Sequence, residues 1–140
     1  MNSIEPNPNT DDEMHYFTYS LYPHQGSWQE AGTVREAAKL NSPAYALQGG
    51  EAGDCYSFAS VDKANVILET VKKAEDSEAA VLRLYESENA RTKVTVTLPA
   101  ETQQVFLANL LEEQQQALEL NGNKVTFTIK PFEIVTLLVY

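Results

Sequence analysis

The sequence predicts an all-β protein, an antiparallel β-sandwich with one short helix. Three observations predict it. Apolar and polar residues alternate at period two in several segments. Those segments are rich in β-branched and aromatic residues. Turn residues separate them at roughly ten-residue spacing, the rhythm of a sandwich with Greek-key or meander connections.

Residues 1–13, MNSIEPNPNTDDE, are polar and rich in Asn, Asp and Pro, and read as a linker. Residues 14–140 form the domain. In 15–23, Phe17, Tyr19 and Leu21 alternate with Tyr16, Thr18, Ser20 and Tyr22, which predicts a strand ended by Pro23 and Gly26. TVREAAKL at 33–40 predicts the helix. Thr33 would cap it, with Glu36 three positions on as in a capping box, and Asn41-Ser42-Pro43 would stop it.

Strands then follow one another. Short strands are expected at 57–61 and 65–71, and the charged KKAEDSE at 72–78 is a turn. AVLRLYE at 80–86 is the next strand. In 93–98, Val94, Val96 and Leu98 face inward and Thr95 and Thr97 outward. Residues 103–120 have helix-forming composition. Strands on both sides and the hairpin signal Asn121-Gly122 favour strands at 105–112 and 116–120 instead. In 124–130, Val125, Phe127 and Ile129 share a face, and Pro131 breaks the ladder. Residues 132–140 are apolar on both faces and belong in the interior of a sandwich.

The 140 residues suit one domain, and 43% hydrophobic content supports a core. A net charge of −10 opposes phosphate backbones and anionic bilayers, so neither nucleic acid nor membrane is an expected partner. Cys55 has no internal cysteine to pair with. No signal peptide and no span-length apolar run is visible, and a cytoplasmic location is expected.

Chemistry is hard to place. A catalytic metal usually needs three protein ligands. His15 and His24, the only histidines, would stand about 30 Å apart on an extended chain. No HxH, HExxH, CxxC or GxSxG occurs. Cys55, after a Gly-rich loop, is most simply a small hydrophobe. The acidic residues at 69–78 read as a solvated edge and turn, and GGEAGD at 49–54 as a connection. Tyr16, Tyr22 and Trp28 could stack on sugar rings, as aromatic platforms do. The simpler reading is that they fill the sandwich or a corner. No catalytic, cofactor-binding or metal-ligating residue is assigned.

One family does resemble this pattern. The order P-x-P-x-x-D-x-x-x-H-x-F-x-Y-S-L-Y-P-H-x-G-x-W is similar to a segment late in glycoside hydrolase family 38 α-mannosidases. Here Pro6, Pro8, Asp11, His15, Phe17, Tyr19 to His24, Gly26 and Trp28 occupy it. SFASVDKANVILETVKKAEDSEAAVLRLYES at 57–87 and IKPFEIVTLLV near the C-terminus resemble later blocks. Residues 44–54 and 99–123 match least.

The resemblance implies a C-terminal β-sandwich domain, part of a galactose-mutarotase-like supersandwich. Residues 1–13 would then be a linker or a partial strand from upstream β-structure. The zinc and the aspartate nucleophile of the retaining mechanism would lie in a separate catalytic domain. That domain would be the partner, with mannose-containing glycans and self-association as further possibilities. No cofactor is expected in this chain, which alone would be inactive.

Overall fold

The computed structural model describes residues 14–49, 53 and 55–140; the linker reading of 1–13 lies outside them. The described residues fall into two compact units, one through Tyr45 and one from Ala46 onward.

The first unit holds α1 (Thr33–Asn41), where the helix was expected. Its start differs from the expected box. Gly32 is the N-cap, with φ 64°, and Thr33 Oγ1 is buried without a partner. The capping box lies one turn earlier. The Ser27 amide donates to Glu30 Oε2 at 2.8 Å and the Glu30 amide donates to Ser27 Oγ at 3.3 Å. That turn rises into a left-handed residue before the helix, a conformation open to glycine, so Thr33 becomes the first helical residue instead of the cap. Glu36 instead pairs with Lys39 at 2.6 Å.

The strand expected at 15–23 is not formed. Residues 14–24 join no ladder, and all of them are exposed. Alternation states which faces a strand would present. It does not supply the neighbouring strand that satisfies its backbone.

The second unit is the antiparallel sandwich. Its strands are β1 (Ser60–Val61), β2 (Val66–Lys73), β3 (Ala80–Glu86), β4 (Thr92–Thr97), β5 (Val105–Ala108), β6 (Gln114–Leu118), β7 (Leu120–Asn121), β8 (Lys124–Ile129) and β9 (Ile134–Val139). One sheet runs β1-β4-β8-β7 and the other β2-β3-β9-β5-β6. Every pairing is antiparallel.

The alternation expected in β4 and β8 holds. Val96 faces Val125 across the ladder, and Val94, Val96, Val125 and Ile129 are fully buried. From the other sheet, Leu82 pairs with Leu137 and Leu84 with Val135, completing the core. The strand β9 is apolar on both faces because it lies between β3 and β5. Leu137 enters the main core, while Leu138 joins Ala74, Ala79 and Val81 in a small cluster on the far side.

Residues 103–120 form strands against their helical propensity, because β5 pairs with β9 and β6. The first of them is shorter than expected. Asn109 ends it: its Oδ1 accepts from the amides of Leu111 at 2.9 Å and Glu113 at 3.0 Å, an Asx turn that bends the chain. The hairpin at 121 forms, with Gly122 and Asn123 between the paired Asn121 and Lys124.

Candidate functional site

The aromatic stretch is the first candidate. Tyr16 is 90% exposed, Tyr22 45% and Trp28 41%. They are not filling a core, contrary to the simpler expectation, because the segment that carries them joins no sheet. They do not form one platform either. The ring contacts in this stretch join Phe17 to Tyr19 and Tyr22 to His24. Tyr22 is further held by its hydroxyl, which donates to the Ala31 carbonyl at 3.1 Å. An open groove of about 370 Å³ lies between this stretch and α1, lined by Ser20, Tyr22, Thr33, Glu36 and Leu40. Of the three aromatics, Tyr22 alone lines it. The Glu30 carboxyl at the foot of the stretch sits below its ordinary value, held there by the amide and hydroxyl of Ser27.

His15 and His24 are both exposed. Among the described residues no group of three His, Cys, Asp or Glu side chains is arranged to hold a metal ion. Cys55, read as a small hydrophobe, is exposed and not packed away. Gly53 and Tyr56 beside it are exposed as well.

The most organised polar cluster was not singled out by sequence reasoning. It centres on Glu86 at the end of β3, only 1% exposed. Its Oε1 accepts from Asn65 Nδ2 at 2.9 Å and from the Glu88 amide at 2.8 Å. Its Oε2 accepts from the Phe132 amide at 3.0 Å. Burial works to raise this carboxyl. Donation from Phe132, Asn65, Glu88 and the Ala90 amide outweighs it and leaves the pKa below the ordinary value. The carboxylate ties together the entry to β2, the β3–β4 turn and the turn before β9. Phe132 sits there at φ 53°, a left-handed conformation costly for a bulky side chain. All acceptor capacity is turned on the protein's own amides, which marks a structural latch. The local pattern does not betray it, because two of its donors, Asn65 and Phe132, lie 21 and 46 residues away.

A second polar node covers the outer face of the five-stranded sheet. Lys72 Nζ lies 2.7 Å from Glu112 and 2.6 Å from Glu75. Glu112 Oε2 also accepts from the Glu75 amide at 2.9 Å. The Lys72 bond holds the Glu112 carboxyl below its ordinary value, and Glu112 in turn raises Lys72. This pins the β5–β6 turn to the β2–β3 turn.

The fold and its polar nodes thus define a packed antiparallel β-sandwich whose ordered charges serve its own loops. Residues 65–137 match the C-terminal beta sandwich domain of the glycosyl hydrolases of family 38. That span runs from the start of β2 into β9, and the chain belongs to this family. It is 38% identical over 140 residues to alpha-mannosidase 2C1 of Homo sapiens and equally so to that of Mus musculus, covering 95% of this chain and 14% of each relative. To alpha-mannosidase G of Dictyostelium discoideum it is 35% identical over 139 residues, covering 94% of this chain and 13% of that protein. The chain thus spans about one seventh of the length of these relatives.

Proposed function

We propose that this chain is a non-catalytic, architectural domain of an α-mannosidase, packing against the catalytic domain of an enzyme that removes terminal α-mannosides. The coincidence of the family match with the sandwich carries this reading. The buried Glu86 carboxylate is held by the protein's own amides and Lys72 by Glu75 and Glu112, as suits a supporting domain. Zinc and the nucleophile belong, on this reading, to the catalytic domain. A cytoplasmic setting fits the single exposed thiol.

The test is direct. The purified chain should not hydrolyse an aryl α-mannoside, with or without added zinc. Hydrolysis abolished by a chelator would overturn the proposal. Removing the matching region from human alpha-mannosidase 2C1 should destroy that enzyme's activity or its solubility; an undiminished enzyme would also overturn it.

The exposure of Tyr16, Tyr22 and Trp28 favours a second reading, a carbohydrate-binding surface. Saturable quenching of Trp28 fluorescence by mannose or mannobiose, lost in Trp28→Ala with the fold intact, would support it. A flat titration would dismiss it.

A further inference from the structure

The sandwich guards three of its four edges. The strands β1 and β7 have two residues each. The edge strand β2 is bulged between Leu68 and Thr70 and carries Glu69, Lys72 and Lys73. These are the devices by which soluble sheets avoid adding strands.

Residues 14–29 have none of them. MHYFTYSLYPHQGSWQ is the longest stretch without Asp, Glu, Lys or Arg in a chain that carries 10 basic and 20 acidic residues. Within it, residues 16–22 alternate strictly and are rich in aromatic residues, so they have strand chemistry. Yet Phe17 is 81% exposed, Tyr19 82% and Leu21 88%, and the opposite face shows Tyr16 at 90%. An uncharged, β-prone and apolar segment open on both faces is a strand without its sheet.

We propose that residues 15–22 are a docking strand, which pairs with an edge of a β-sheet in the remainder of an α-mannosidase. This deepens the architectural reading and rests on it. Three observations choose that occupant. Residues 15–22 join no ladder among the described residues, and every one of them is exposed. The alignments with the relatives cover at least 94% of this chain, so they take in most of this sixteen-residue stretch. Those relatives are about seven times longer, so in them the segment is joined to a large further body. Phe17, Tyr19 and Leu21 would enter that body's apolar layer, and Pro23 would end the pairing.

Hydrogen–deuterium exchange tests this on two proteins, this chain alone and intact human alpha-mannosidase 2C1. Amides of residues 15–22 should exchange almost as fast as an unstructured peptide in the chain alone. The matching segment of the human enzyme should exchange at least about 100-fold more slowly. Fast exchange in the intact enzyme overturns the docking strand, while the architectural reading stands if that enzyme still needs its C-terminal region. Slow exchange in the chain alone also overturns it, and light scattering then says whether a second copy is the partner. As a further check, this chain spliced into the human enzyme in place of its own region should show the same slow exchange. Thr18→Pro there should raise exchange across 15–22 to the rate of the isolated chain, with β3 and β9 still protected; unchanged slow exchange would overturn the proposal.

Discussion

Two segments of this protein carry almost the same pattern and meet opposite fates. Residues 93–98 alternate Val, Thr, Val, Thr, Leu after a lysine, and Val94 and Val96 are wholly buried. Residues 16–22 alternate as strictly, and every one of them is exposed. The first has β8 alongside, pairing six residues from Thr92 to Thr97. The second has no ladder. The contrast extends across the units. All buried side chains described in the protein lie between Val66 and Val139, and residues 14–49 contain none. Period two is thus not enough to make a strand; a neighbouring edge that takes up its backbone hydrogen bonds is needed as well.

Core truncation should sharpen this contrast most. Leu82→Ala and Leu137→Ala each open a cavity among fully buried side chains, and each should cost about 3 kcal/mol in urea unfolding. Tyr16→Ala and Tyr19→Ala should move the same midpoint by less than about 0.5 kcal/mol. A large loss at Tyr19 would break the comparison, since it would show that the stretch is packed in the isolated chain.

The Glu86 latch comes next. Glu86→Ala strands buried donors from Asn65, Glu88 and Phe132, and should cost about 2–3 kcal/mol. The folded carboxyl lies below its unfolded value, so its contribution is present above the unfolded pKa and lost as pH falls through the folded one. Stability should therefore drop on acidification below about pH 4, and Glu86→Gln should flatten that drop. An unchanged acid slope in the glutamine variant would show that other carboxylates dominate.

A smaller effect is expected at the turn before α1. Ser27→Ala removes one half of the capping box, worth about 1 kcal/mol locally. It should speed exchange at the Ala31 and Gly32 amides without moving the urea midpoint of the sandwich. At Gly26, with φ 74°, an added Cβ would meet Glu30 Oε2 at 2.5 Å, so Gly26→Ala should have the same local signature. Glu112→Ala should have the least effect, faster exchange at the Glu75 amide and little else. A global loss there would mean that the turn-to-turn tie is part of the cooperative core.

The sequence by itself determined most of the sandwich. The inward sets of β4 and β8, the two-faced burial of β9, the hairpin around Gly122 and the position of α1 follow from local pattern and turn chemistry, which neighbouring residues carry. Family membership was legible too, in blocks at ordered spacing. The end of β5 at Asn109 and the shift of the helix cap from Thr33 to Gly32 are local side-chain effects that the pattern alone did not rank. Tertiary structure decided what depends on distant partners. It left residues 15–22 without a ladder, so that Tyr16, Tyr22 and Trp28 are exposed instead of filling a core. It gave Glu86 its donors, because amides 2 and 46 residues away converge on one carboxylate only once β3 and β9 have paired. Periodicity is a property of neighbours along the chain. Pairing, burial and charge satisfaction belong to neighbours in space.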